Sequence, residues 1–127
     1  MASDSDPTVL QLPATMRNLR TVRLVAAACA DDAGFDFEGV EDIRLTVDEL
    51  CALVIEGAQT DSQLEVRFEA RPGEVAVSGH CAMPDGAPAP ELPRLSAEIL
   101  AAVADDHELA VRDGQCHFRF TKRQLPE

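Results

Sequence analysis

The residue whose surroundings most favour chemistry is Glu49, in the segment RLTVDELCALVIEGA at residues 44–58. At a helical spacing of about 100° per residue, its neighbours one turn before and after are Leu45 and Leu53, and Ala52 lies beside it. The core-facing stripe of the same helix lies roughly opposite and consists of Val40, Ile43, Val47, Leu50 and Val54. The segment therefore predicts a helix with two apolar faces and a carboxylate in the second. Such a carboxylate can serve as a general base, form the wall of a binding site or interface, or be a partly exposed residue without a role.

Three arginines form the second candidate group. Arg17, Arg20 and Arg23 recur every three residues within a helical pattern, which places them in a slanted row along the helix. A guanidinium can hold a carboxylate through two hydrogen bonds, and arginine is enriched at the energetic centres of protein interfaces. The row predicts either a contact with a protein partner or a solvated helix edge that offsets nearby acidic residues.

The histidines and cysteines indicate no catalytic or metal centre. His80 and His107 have no nucleophile at a recognisable spacing, and we assign them no role. His117 alternates with Cys116 and Phe118 in a predicted strand, so the face on which it lies depends on the strand register. The cysteines are scattered, without a CxxC pair or a histidine at metal-ligand spacing: Cys29, Cys51, Cys81 and Cys116. We therefore predict no bound metal and a reducing cytoplasm.

Composition and charge narrow the class of partner. The chain has 127 residues, of which 46% are hydrophobic, and this suits one folded domain. Aromatic residues make up only 4%, which predicts an aliphatic core. The net charge of −12 argues against direct contact with nucleic acid or an anionic membrane and favours a basic protein partner. The start, MASDSDPTV, lacks the features of a signal peptide, and no segment is long enough to span a bilayer, so the expected location is the cytoplasm.

The first half of the chain predicts one strand and two helices. TVLQLPA alternates as a short strand, and a helix follows from about Met16 to Ala33 with Thr15 as its cap. Residues 35–42 are expected to connect this helix to the helix of Glu49, which ends near Gly57.

The second half predicts four strands and one helix. QLEVRFEA and EVAVSGHC both alternate, and RPG between them is a hairpin turn. MPDGAPAPELP is expected to be a loop, and LSAEILAAVADD is expected to be a helix. ELAVRD and QCHFRFTKR form a second predicted hairpin that turns at Asp113-Gly114.

This order of elements predicts an α/β fold. Consecutive hairpins favour an antiparallel or mixed sheet, and the helices would cover one of its faces as a two-layer sandwich. We expect a single domain at residues 8–123, a flexible N-terminus at residues 1–7 and a tail at residues 124–127.

The segment VEDIRLTVDELCALVIEGA at residues 40–58 resembles the N-box helix of the serine-kinase anti-sigma factors of bacterial sporulation and general stress responses. That family has the histidine-kinase, gyrase and Hsp90-like ATPase fold. LPATMRNLRTVRLVAAACADDAGF resembles its first strand and helix, and DFEGVEDIRLTVDELC is most similar to the anti-sigma-F factors of mycobacteria and related actinobacteria. The resemblance covers most of the chain. It implies a sigma factor and a STAS-type anti-anti-sigma factor as partners, a possible homodimer, and ATP with Mg²⁺ as possible cofactors.

The resemblance also implies roles for individual residues. Glu49 matches the family's general base, which acts toward a serine hydroxyl of the anti-anti-sigma protein. An arginine of the first helix contacts sigma in the family, and Arg23 is the closest match here and Arg20 the next. The family's Mg²⁺-binding asparagine falls at Leu53, which cannot ligate a hard cation that prefers oxygen.

Two further nucleotide-binding motifs depart from the family's pattern. The box whose aspartate binds adenine falls at Ser78-Gly79-His80-Cys81, which has no carboxylate, and Asp85-Gly86 lies too far into the following loop. The later glycine-rich box falls near Arg94-Leu95-Ser96, which contains no glycine. The resemblance with these departures predicts a retained fold with weakened or lost nucleotide chemistry.

Three functional hypotheses follow from the resemblance. In the first, the chain sequesters a sigma factor and is released from it by an anti-anti-sigma protein. In the second, it is an active serine protein kinase that phosphorylates the anti-anti-sigma protein with Glu49 as base. In the third, it is only a dimerisation module that uses the second apolar helix face.

Overall fold

A computed structural model describes residues 6–124, so most of the predicted flexible N-terminus and of the predicted tail lies outside the described residues. Its elements are β1 (Thr8–Pro13), a short 3-10 helix (Met16–Asn18), α1 (Leu19–Asp32), α2 (Phe37–Glu56), β2 (Gln63–Arg71), β3 (Glu74–Ala82), α3 (Arg94–Val103), β4 (Asp106–Arg112) and β5 (Gln115–Arg123). The predicted order of strands and helices is confirmed.

The five strands form one sheet in the order β1-β2-β3-β5-β4, and every neighbouring pair is antiparallel. Both predicted hairpin turns are present. In the second turn Asp113 and Gly114 have φ values of 55° and 74°, the left-handed pair that a two-residue hairpin loop requires. Helices α1 and α2 pack on one face of the sheet, and α3 packs against α2. The predicted two-layer α/β sandwich is therefore confirmed.

Helix α2 begins earlier than the sequence pattern predicted. Asp36 is its N-cap, and the Asp36 carboxylate accepts a hydrogen bond of 2.8 Å from the Gly39 backbone N–H. This cap starts the helix at Phe37, so most of the expected connection at residues 35–42 is helical. Gly39 lets the Phe35 ring pack against the backbone of α2, because a Cβ at this position would lie 2.6 Å from that ring.

Two other helix ends also differ from the prediction. The Thr15 side chain makes no capping hydrogen bond. Instead, the Asn18 amide donates to the Pro13 carbonyl at 2.8 Å and to the Thr15 hydroxyl at 3.2 Å, and a 3-10 turn precedes α1. Helix α3 ends at Val103, since the backbone of Ala104 is extended, with φ −107° and ψ 148°. The carboxylate of Asp105, just before β4, then accepts a hydrogen bond of 2.6 Å from the Arg123 N–H.

The core lies between the helices and the sheet. The expected stripe of α2 is confirmed at Ile43, Val47, Leu50 and Val54, which are fully buried. The prediction of an aliphatic core is only partly right, because four of the five phenylalanines lie in it: Phe35, Phe68, Phe118 and Phe120. Within residues 6–124, none of the helices combines the length and apolar character needed to cross a membrane.

Candidate functional site

Glu49 lies on the side of α2 that faces the first turn of α3. The Ser96 hydroxyl donates a hydrogen bond of 2.5 Å to Glu49 Oε1, and the pair is partly buried. A hydroxyl bound to a carboxylate is a charge-assisted hydrogen bond, which is shorter and stronger than one between neutral groups. The predicted carboxylate on the second face of α2 therefore has a specific partner, supplied by another helix.

The sequence of α3 explains why Ser96 reaches Glu49. Pro93 precedes the helix with φ −56° and ψ 152°, an extended conformation that directs the chain into the first turn. Leu100 is the buried anchor of α3, and Ser96 lies four residues before it. Because residues four apart share a helix face, anchoring Leu100 in the core also turns Ser96 toward α2.

A narrow cleft of about 190 Å³ surrounds this hydrogen bond, and it is lined by Asp48, Glu49, Ala52, Leu53, Glu56, Pro93 and Ser96. Its charged groups are three carboxylates, and its apolar wall includes Leu53. Leu53 offers no oxygen ligand to this cleft. Among the described residues, no group of three histidine, cysteine or acidic side chains could hold a metal ion.

The stretch that corresponds to the family's adenine-binding box lies inside a strand. Ser78 to Cys81 belong to β3, and Gly79 and Cys81 face the core. A Cβ at Gly79 would lie 2.5 Å from the Phe118 ring, so this glycine makes room for an aromatic side chain of the neighbouring strand. Asp85 and Gly86 lie beyond the strand end, and Gly86 has a φ of 75°.

The predicted arginine row divides into two kinds of environment. Arg23 forms an ion pair with Asp48 of α2, with 2.8 Å between Nε and Oδ1, and both side chains are just over a third exposed. Arg17 and Arg20 are exposed and form no ion pair with any residue between 6 and 124. Leu24, one turn after Arg20, is 64% exposed. Arg20 on the outer side of α1 thus presents a guanidinium without an ion-pair partner among the described residues, beside an exposed leucine, and Arg17 presents another in the preceding 3-10 turn.

Sequence reasoning missed two contacts. The first contact joins Ser96 to Glu49. Ser96 lies shortly after Pro93 and four residues before Leu100, a spacing that could have placed Ser96 and Leu100 on the same face of a helix. The second contact joins His80 and His117, whose rings lie 5.3 Å apart on β3 and β5. No sequence signal gave this pairing, because α3 and β4 separate the two strands along the chain.

The cysteines are free thiols in or beside the core. Cys81 and Cys116 face each other across β3 and β5, and both are buried. Burial raises the pKa of the Cys81 thiol to about 11, with a smaller contribution from Cys116. Thiols in this state are unreactive at neutral pH, because the thiolate is the nucleophile.

Comparisons with known proteins agree on one family. The family described as the histidine kinase-like ATPase domain matches residues 12–110. The anti-sigma-F factor RsbW of Mycobacterium tuberculosis, from strains CDC 1551 / Oshkosh and H37Rv, is 33% identical over 97 residues. That match covers 76% of this chain and 57% of the relative, so the chain spans just over half the length of these relatives.

Two solved structures share the fold. The crystal structure of the RsbU and RsbW domains of Rv1364c from Mycobacterium tuberculosis superposes with a TM-score of 0.73 at 20% identity, covering 94% of this chain and 32% of that one. The nucleotide-free catalytic domain of histidine kinase ThkA superposes with a TM-score of 0.53 at 15% identity, covering 92% of this chain and 96% of that one. At these identities the two structures establish the fold alone.

Proposed function

This chain belongs to the family of histidine kinase-like ATPase domains, and from that membership we propose that it is a cytoplasmic anti-sigma factor that binds and sequesters an RNA polymerase sigma factor. A STAS-type anti-anti-sigma protein releases the sigma factor in this proposal. The 33% identity to anti-sigma-F factors supports it. The chain spans only 57% of the length of those relatives, so a sigma factor and an anti-anti-sigma protein are proposed partners.

The outer side of α1 is the observation that carries the proposal. From Met16 to Ala30 the chain has three arginines and no acidic residue, although the net charge is −12. Arg20 is exposed next to Leu24, so a partner can bury an apolar side chain and pair a carboxylate at one place. Interfaces combine these features at their energetic centres. Arg23 contributes less directly, since a partner must compete with Asp48 for its guanidinium.

We also propose that nucleotide chemistry is weakened or lost. The cleft at Glu49 is smaller than the roughly 300–1,000 Å³ typical of sites for small molecules. Asp48 is paired with Arg23, but the carboxylates of Glu49 and Glu56 would repel a triphosphate, and Leu53 cannot hold the Mg²⁺ that would offset this repulsion. These residues do not fit Mg–ATP.

A serine protein kinase is the second candidate function, and one observation favours it. Glu49 already accepts a hydrogen bond from a serine hydroxyl, at 2.5 Å. A general base must lie within hydrogen-bond reach of the proton that it removes. A substrate serine that displaced Ser96 would lie within hydrogen-bond distance of the same carboxylate.

The first experiment measures binding of purified sigma factors from the source organism to the immobilised protein. We expect at least one to bind, and Arg20→Glu to weaken it about tenfold or more, since charge reversal at an interface costs over 1 kcal/mol. Arg71→Glu is the matched control, because Arg71 is also exposed and forms no ion pair within the described part of the chain. Equal binding by both variants, or no binding by any sigma factor, would refute the proposed interface.

Thermal unfolding with and without Mg–ATP separates the two candidate functions. A nucleotide at a hundredfold its dissociation constant would stabilise the fold by about 2.7 kcal/mol. We expect no such shift. A clear shift, together with phosphate transfer to a STAS-domain protein that Glu49→Gln abolishes, would replace the first function with the kinase.

A further inference from the structure

The face of the sheet opposite the helices carries a row of side chains that crosses all five strands. Residues directly opposite one another in neighbouring strands share a face, and the register places one such set across the sheet. From β1 to β4 its members are Gln11, Glu65, His80, His117 and Ala110. This face is remote from Glu49, which lies in the helical layer.

Polar contacts run along this row and stop at His117. The Gln11 amide donates to Glu65 Oε1 at 3.3 Å, and His80 Nε2 lies 3.4 Å from Glu65 Oε2. His80 Nδ1 lies 3.0 Å from Gln115 Oε1, and the His80 ring faces the His117 ring with centroids 5.3 Å apart. His117 has no hydrogen-bond partner in the part of the chain that the structure describes. The next position of the row is Ala110, which has no polar group.

A cavity of about 260 Å³ occupies the space beside His117. Small side chains leave this space open, since Ala110 and Ser78 lie where longer residues would fill it. Arg112 reaches the cavity and has no ion-pair partner within residues 6–124. Arg119 also lines it and is held by Asp106 at 2.9 Å and by Glu108 at 3.0 Å.

Two arginines and three carboxylates lie around His117, and Arg119 already engages two of the carboxylates, Asp106 and Glu108. Partial burial lowers its pKa, Arg112 lowers it further and His80 adds to this, whereas Asp113 raises it. Arg119 lies two residues after His117 on β5, and it holds the carboxylate of Glu108. An anion placed between these cations would oppose the repulsion and favour the protonated imidazole.

We propose that this cavity binds a dianionic oxyanion of the phosphate type between Arg112 and His117, and that His117 takes up a proton as the anion binds. Arg112 supplies the permanent charge and the imidazolium supplies a second donor. The Ser78 hydroxyl is a third donor on the cavity wall. The site is independent of the proposed anti-sigma function, because none of its residues lies on α1 or α2.

Sulfate is the probe of choice, since its charge stays constant between about pH 6 and pH 8, on either side of the ordinary histidine pKa. Sulfate is added at constant ionic strength, and the imidazole resonances are followed by NMR, with His117 assigned through His117→Asn. We expect saturable binding that is about three- to fivefold tighter at the lower pH, because the imidazolium adds one partly exposed charge contact.

Variants decide whether the binding is specific. Arg112→Gln should weaken sulfate binding about three- to fivefold, whereas Arg71→Gln, with the same change of charge at a distant exposed arginine, should leave it unchanged. His117→Asn should remove the pH dependence. Shifts that never saturate, equal effects of the two arginine variants, or pH dependence that survives His117→Asn would each overturn the site. Acetate binding as tight as sulfate binding would overturn the assignment to a dianion.

Discussion

The hydroxyl of Ser96 and the carboxylate of Glu49 are joined at 2.5 Å although they lie 47 positions apart in the chain. This hydrogen bond connects α2 to the first turn of α3. Leu100 is the only fully buried residue of α3. Helix α3 is therefore attached through one apolar anchor and one charge-assisted polar contact. The candidate base of the site also serves as a structural acceptor.

Removing either partner of this contact should lower the free energy of unfolding. We expect Ser96→Ala and Glu49→Ala each to cost about 1–2 kcal/mol, and the double variant to cost less than the sum, because both lose the same hydrogen bond. Urea denaturation measures all three. Glu56→Ala is the matched control, since Glu56 lines the same cleft without a hydrogen bond within the described residues. Fully additive effects would mean that the two side chains do not interact in solution.

Gly79 and Gly57 should respond in opposite ways to the same added methyl group. A Cβ at Gly79 would lie 2.5 Å from the Phe118 ring, so Gly79→Ala should destabilise the fold by about 1–3 kcal/mol through overpacking. At Gly57 the nearest atom would be 3.9 Å away and φ is −93°, so Gly57→Ala should be neutral or slightly stabilising. Chemical denaturation tests both variants. Phe118→Leu should restore part of the loss in Gly79→Ala, and a loss that does not change would locate the strain elsewhere.

Asp36 should make the stability of the fold depend on acid pH. The hydrogen bond from the Gly39 N–H is the main cause that lowers the Asp36 pKa below its ordinary value of 3.8, and Gln124 adds to it. Because the folded-state pKa is the lower one, this stabilisation is fully present above about pH 3.8 and is lost as the pH falls through the folded value. Asp36→Asn should keep the cap but remove this pH dependence. Asp36→Ala should lose both.

Urea denaturation at several pH values between neutral and acid distinguishes these variants. If Asp36→Asn loses stability on acidification as steeply as the unmodified chain, the titration must belong to other carboxylates. If Asp36→Ala is as stable as the unmodified chain at neutral pH, the cap contributes nothing to α2.

The fold was predictable because its signals are local. The two-residue alternation of β2 and β3 and the apolar stripe of α2 each depend on residues within one element. The resemblance of residues 40–58 to anti-sigma factors is supported by the family match over residues 12–110 and by the 33% identity to anti-sigma-F factors. The start of α2 was misplaced because a single cap at Asp36, close to Gly39, outweighs the loop-like appearance of the surrounding residues.

The site was predictable only in part. The apolar neighbours of Glu49 along the helix identified it as unusual, but its partner depends on how α3 packs, which a single sequence does not encode locally. The row from Gln11 to His117 could not be predicted either, because it depends on the pairing of β3 with β5, which are distant in the chain. The arginine spacing predicted one row, whereas the ion pair of Arg23 with Asp48 divides it, because α2 lies beside only part of α1.

The stretch from Met16 to Ala30 separates charge along the chain, because its only charged residues are three arginines. The rest of the chain carries all 23 acidic residues and the other eight basic ones. An approaching partner therefore experiences a torque before contact, which aligns its carboxylates with α1 and its basic groups with the remaining surface. Salt screens this field beyond about 8–10 Å at physiological ionic strength. The association rate constant should therefore be higher in dilute buffer and decrease as salt is added.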